Sequence, residues 1–255
     1  MSNSFITNKD KFLSDIINGI LPKTNAVDFL VGYFYYSGYK ELSEQLKDKR
    51  IRILIGLDIE IHITKHICEV ENFRQQLQSR GVLKEEYYAQ FIKAFNDTDF
   101  LDTEEKIGQF KMFYSKILDG SLEIRKTLEP CHSKMYLFAY SDIINEGGEN
   151  PGVLITGSSN LSYQGLKGRL ELNARFNDKI EYDEGKVIFE ELWKDAIVIA
   201  DKDNIDEWNN KVMKHIWFDT LYSPYLMFIR VLIEYFAIPS KENLLTPYDI
   251  TDGRF

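Results

Sequence analysis

Cysteine is nearly absent. The 2 cysteines, Cys68 and Cys131, lie far apart and neither has a CxxC partner. That spacing excludes a disulfide framework and a zinc ribbon, and both read as ordinary buried thiols. Long apolar runs are missing too: none approaches the ~18 residues of a membrane span, and the start MSNSFITNKDKF lacks the basic and then apolar build of a secretory signal. The expected setting is the cytoplasm, with no membrane partner. There is no internal repeat, and no low-complexity stretch beyond the loop at 145–152. Positive charge is short as well, since 31 Lys and Arg against 40 Asp and Glu leave a net charge of −9. This works against a nucleic-acid binder, whose affinity rests on Lys and Arg contacts to phosphates. The objection weakens if the acid sits on outer helices, such as 179–195 and 201–207, and leaves a basic patch near a site.

What is present is material for a core. Apolar residues make up 44% of the chain and aromatic ones 14%, with 15 Tyr and 17 Phe, which argues against disorder. A chain of 255 residues fits one large α/β domain with helical additions. Phe12, Ile16, Ile17 and Ile20 recur at helical intervals before Pro22 and predict a first helix. AVDFLVGYFYYSGY reads as an apolar strand ending in a Ser-Gly turn, KELSEQLKDK as a helix and IRILIGLDI as a second buried strand. This β-α-β unit predicts parallel strands.

From about 69 to 117 the pattern becomes charged and helical, which marks an insertion. SLEIRKT, CHSKMYLFAY, GVLITGS and LELNARF follow as strands, the second and third joined by the Gly-rich loop NEGGENPG. Helices are expected near 179–195, 205–217 and 224–236. The predicted organisation is a catalytic domain over 1–200, a helical extension over 201–238 and a tail over 239–255 that links to a further domain.

Alternate residues of a strand share a face, so CHSKMYLFAY places His132, Lys134 and Tyr136 together and sets an imidazole beside a cation. The next strand ends in ITGSSN, and its turn into LSYQGL reads as a helix N-terminus that favours an anion. LELNARF puts Glu171, Asn173 and Arg175 on one face. Imidazole, ammonium, amide, hydroxyls and carboxylate are the set needed to attack and hold a tetrahedral phosphorus without a metal. No Mg or Zn ligand pattern accompanies them, and no cofactor is expected. His62 and His66, four apart, lack a third ligand.

HSK followed by GSSN, with Glu171 downstream, resembles the HxK and GSxN elements of the phospholipase D superfamily, over about residues 131–176. The resemblance implies a phospholipase D-like αβα sandwich with a mixed, largely parallel sheet. It also implies a metal-independent phosphodiesterase of the nuclease and restriction-endonuclease branch. One His would form a phosphohistidine while a second, from another copy of the motif, protonates the leaving oxygen. This chain has one copy, so the resemblance implies a homodimer pairing His132 across a two-fold axis.

By the same analogy Lys134 and Asn160 hold the phosphate oxygens, Ser158 or Ser159 assists, and Glu171 orients His132. Where the family's pattern has an Asp five residues after the Lys, this chain has Ala139. YFYYSGYKEL, IRILIGLD and SPYLMFIRVLIEYF resemble the module found ahead of bacterial helicase domains, which implies DNA as partner and a helicase linked beyond the tail.

Other readings stay open at this point. Lys167 and Arg169 are candidate DNA contacts or a solvated loop. The tyrosines at 33, 35 and 36 are base-stacking residues or core, with core preferred. The protein is a nuclease, a DNA-binding and dimerisation module with little turnover, or, last, a lipid phosphodiesterase, for which no basic amphipathic helix speaks.

Overall fold

A computed structural model describes residues 4–59, 80–95 and 103–216, together with Phe228. The expected helix at 224–236, apart from Phe228, lies outside the described residues, as do Cys68, His62, His66, the tail, and the parts of the insertion at 69–79 and 96–102. Among the described residues, those up to Ile216 form one compact unit.

The first strand, β1 (Phe5–Ile6), leads through Asn8, whose φ of 57° is left-handed and suits an asparagine. Asn8 is buried; it accepts from the Leu13 backbone at 2.8 Å, starting α1 (Leu13–Ile20), and donates to the carbonyls of Gly165 at 2.8 Å and Arg169 at 3.1 Å. One side chain thus ties the amino-terminal segment to a distant loop. Strand β2 (Thr24–Phe34), helix α2 (Tyr36–Leu46) and strand β3 (Arg50–Ile59) form the expected unit, with β2 and β3 parallel.

The Ser-Gly turn predicted after β2 is absent: Tyr36-Ser37-Gly38-Tyr39 is already the first turn of α2. The reason is packing. Tyr36 and Tyr39, three apart, both enter the core against Phe113, with ring centroids 5.5 and 5.0 Å away. Gly38 lies so close to the Leu161 backbone that a Cβ would stand 2.4 Å from its carbonyl oxygen.

The described part of the insertion supplies α3 (Arg80–Phe95) and α4 (Glu104–Asp119), whose Phe91, Phe95, Phe110 and Phe113 are fully buried. Next come β4 (Leu122–Lys126), β5 (Met135–Tyr140), the short α5 (Asp142–Asn145), β6 (Gly152–Gly157) and β7 (Asn173–Phe176). Helix α6 (Lys179–Asp195), strand β8 (Ile197–Ala200) and α7 (Ile205–Lys211) close the described unit.

The described strands make one sheet in the order β1-β7-β6-β5-β2-β3-β4-β8. It is mixed, as expected, but not largely parallel. Among the described pairs, β2 with β3 and β3 with β4 run parallel, while β1–β7, β7–β6, β6–β5, β5–β2 and β4–β8 are antiparallel. Parallel neighbours need a long crossover, and β2–β3 and β3–β4 are joined by such crossovers through α2 and through the insertion, whereas a short connection from β5 to β6 enforces an antiparallel pair.

Helices cover both faces, giving an αβα sandwich. On one face Leu30, Leu54, Met135, Leu137 and Leu154 pack under Tyr182, Phe189 and Trp193 of α6. Arg52 pins that helix: it donates to Asp28 at 2.6 Å and Glu190 at 2.6 Å, with its guanidinium stacked 4.8 Å from the Phe189 ring centre and 5.0 Å from that of Trp193. A desolvated pair of this kind is tolerated because every charge has partners.

Candidate active site

Strand register brings the motif segments together before any side chain is considered. Leu30 of β2 lies opposite Met135, the first residue of antiparallel β5, so residues following Leu30 run beside residues preceding Met135. His132 and Lys134 therefore lie at the mouth of β5, by the end of β2, and not within a regular strand. On the other side Met135 pairs with Thr156, the Gly157 N–H donates to the Lys134 carbonyl at 3.3 Å, and the Thr156 hydroxyl donates to the same oxygen at 2.8 Å. GSSN is delivered beside HSK.

The convergence point is Gly32. A Cβ placed there would stand 2.9 Å from His132 Cδ2, 3.3 Å from Lys134 Nζ and 3.4 Å from Asn160 Oδ1. Three side chains from two separate motifs thus close over one glycine, which leaves room for them because it has no side chain. The next residue completes the floor, as the Tyr33 N–H donates to Asn160 Oδ1 at 3.1 Å. A backbone N–H must meet the amide oxygen, so this bond orients Asn160 with its Nδ2 as the remaining donor.

Lys134 is buried and donates to the His132 carbonyl at 2.6 Å. Burial pushes its ammonium down to about 8, against the pull of Glu171 and Cys131. His132 is exposed, and its imidazole is held below the usual histidine range by partial burial and by the Lys134 charge. The ring therefore favours its neutral, nucleophilic form beside a cation. Tyr33 presents a T-shaped ring to it, with centroids 6.0 Å apart.

The two serines separate. Ser159 has no exposure; its hydroxyl accepts from Asn173 Nδ2 at 2.9 Å and its N–H donates to Asn173 Oδ1 at 3.3 Å. It is a buried clamp between β6 and β7, which corrects its expected place on the phosphate. Ser158 is the exposed one, donating to Glu171 Oε2 while its oxygen accepts from the Leu172 N–H at 3.0 Å. The hydrogen bond of Glu171 is thus to Ser158 rather than to His132, and Glu171 acts on Lys134 through its charge.

Where LSYQGL was expected to open a helix, the structure has only a five-residue π-helical turn, Gln164–Gly168. Gly165 is tucked under the Asn160 carbonyl, where a Cβ would stand 2.3 Å from the oxygen, and Asn8 holds its own carbonyl from outside. So short a turn supplies no helix N-terminus for an anion. Lys167 is paired with Glu41 at 2.6 Å, and Arg169 is exposed. Cys131 is half-buried and free; its N–H donates to the Gly56 carbonyl at 3.0 Å, which seats the segment leading to His132.

No family model matches the chain, and no curated protein matches it. Nuc from Salmonella typhimurium, a phospholipase D family member, shares 10% identity over 72% of this chain and 88% of its own, with a TM-score of 0.36. NucT from Helicobacter pylori shares 10% identity over 76% of this chain and 97% of its own, with a TM-score of 0.40. A polyphosphate kinase from Porphyromonas gingivalis shares 10% identity over 80% of this chain and 25% of its own, with a TM-score of 0.36.

The departure from the phospholipase D pattern has a structural counterpart. Ala139, at the position of the motif's Asp, pairs with Ala26 and Gly152 in the middle of the sheet and packs against the core under α6. Gly152 approaches so closely that a Cβ there would stand 1.9 Å from the Phe138 carbonyl oxygen. Among the described residues no group of three or more His, Cys, Asp or Glu side chains forms a candidate metal site, and no helix is long and apolar enough to cross a membrane.

Proposed function

We propose that this chain is a metal-independent phosphodiesterase of the phospholipase D type, acting on DNA. The observation that carries the reading is the convergence of His132, Lys134 and Asn160 over Gly32. The reading rests on these residues and on the motif resemblance, not on the distant structural likenesses.

In the proposed mechanism the neutral His132 imidazole attacks phosphorus, forming a P–N bond as the P–O bond to the leaving alkoxide breaks. Lys134 Nζ and Asn160 Nδ2 take the non-bridging oxygens, where charge builds in the transition state. The alkoxide accepts a proton from the imidazolium of His132 in a second copy of the chain. Water then attacks, giving its proton to that second imidazole, and the P–N bond breaks to release the phosphate monoester and restore His132. A homodimer is therefore part of the proposal, as is a place ahead of a helicase domain. Residues 1–200 would be the catalytic domain and 201–238 a helical extension.

A second reading is a DNA-binding and dimerisation module with weak turnover. It is favoured by Ala139 in the core and by the engagement of Glu171 with Ser158. Hydrolysis of bis(p-nitrophenyl) phosphate and of single- and double-stranded DNA, in EDTA, separates the two. Activity that survives chelation and disappears in His132→Ala and Lys134→Ala establishes the phosphodiesterase; an inactive wild type that binds DNA establishes the module.

A further inference from the structure

Chain alternation at the end of β2 sorts its aromatic run. Phe34 turns into the core, fully buried, with its ring centroid 6.3 Å from that of Phe91. Tyr36 enters the core as the first residue of α2. Tyr33 and Tyr35 behave differently: both are half-buried, with ring centroids 6.4 Å apart. The core assignment holds for Tyr36 and not for these two. Their backbones build the phosphate pocket, since the Tyr33 N–H holds Asn160 and the Tyr35 N–H donates to the Leu161 carbonyl at 3.3 Å. Their side chains form an aromatic wall whose inner ring touches the His132 imidazole.

We infer that Tyr33 and Tyr35 form a stacking subsite for an unpaired nucleobase flanking the scissile phosphate, which makes single-stranded DNA the preferred substrate. This rests on the phosphodiesterase reading and specifies its substrate. Three features support it. The inner ring of the wall stands directly beside the proposed nucleophile, its centroid 6.0 Å from that of the His132 imidazole. Base stacking on tyrosine needs no net positive surface, which suits a chain of net charge −9 whose Lys167 is neutralised by Glu41. A base inside a duplex is already stacked and paired, so such a wall rewards a base that is neither.

The test compares two oligonucleotides of equal length, one of thymidylate and one of tetrahydrofuran abasic residues, with the same phosphodiester backbone. The wild type should cleave the base-bearing strand with a kcat/KM about 5- to 150-fold higher, the range expected for stacking of one base. That ratio should fall toward one in Tyr33→Leu and in Tyr35→Leu and persist in Tyr33→Phe, with circular dichroism confirming that each variant is folded. A wild-type ratio near one, a ratio unchanged in both Leu variants, or equal cleavage of single strand and blunt duplex would overturn the inference while leaving the phosphodiesterase standing. Should neither strand be cleaved, the phosphodiesterase reading fails. The ratio of affinities for the same fluorescently labelled strands, by anisotropy, then decides the subsite by the same criteria.

Discussion

Lys134 is positioned at a cost that can be measured. The side chain is buried, and its ammonium is pushed from 10.5 to about 8 by desolvation, against the pull of Glu171 and Cys131. A tenfold change in an ionisation equilibrium corresponds to about 1.4 kcal/mol, so at neutral pH the folded protein carries a charged group about 3 kcal/mol less favourable than in the unfolded chain. Lys134→Met keeps the length and apolar stem while removing the charge. It also removes the bond to the His132 carbonyl, worth about 1 kcal/mol. The variant should therefore be more stable by about 2 kcal/mol at neutral pH and should lose phosphodiester hydrolysis. Because the folded value is depressed, the unfolded chain binds more protons between about 8 and 10.5. Wild-type stability then rises with pH across that window, and the advantage of the Met variant shrinks there. Urea unfolding followed by circular dichroism at about pH 7 and about pH 10, on either side of most of that window, reads both effects. A Met variant no more stable than wild type, or a difference independent of pH, would refute the desolvation argument and show Lys134 compensated by Glu171.

The same ionisation predicts ligand binding: in His132→Ala, affinity for an oligonucleotide should fall as pH rises through about 8, and Lys134→Arg should hold it to higher pH, as fluorescence anisotropy would show. Gly32→Ala should lower kcat by about 100-fold or more, because its methyl group would stand 2.9 Å from His132 Cδ2 and displace the ring, while thermal unfolding changes little; an unchanged kcat would remove Gly32 as the floor of the site. Ser159→Ala should cost about 1–2 kcal/mol of stability by leaving the Asn173 amide without its partner, and should leave hydrolysis of bis(p-nitrophenyl) phosphate largely intact. A Ser159→Ala protein of native stability but lost activity would return that hydroxyl to the phosphate.

Much of the fold was legible in the chain because continuous apolar runs such as FLVGYF and IRILIG can only be strands covered on both faces. The charged, i/i+4 apolar pattern at 179–195 could likewise only be a surface helix. Strand β8 escaped because IVIA is too short to show a period, and it exists through pairing with β4. The balance of parallel and antiparallel pairs was misjudged because adjacency is set by partners distant in sequence: β2, the second strand, neighbours β5. A signal for Gly32 was present, a lone glycine within a strand, which marks close approach of other groups. What approaches it could not be read locally.

The sequence by itself determined the chemistry on offer and the elements that carry it: an HSK segment, a GSSN turn and a downstream glutamate, each next to a strand. Tertiary structure decided which of those groups meet. Period-two alternation tells which residues share a face but not which neighbour that face receives. The difference between Ser158 and Ser159, between Tyr33 or Tyr35 and Tyr36, and between a Glu171 bound to Ser158 and one bound to His132 therefore came from register across the sheet and from the contacts made where its strands end. A shift of one residue there exchanges inside for outside.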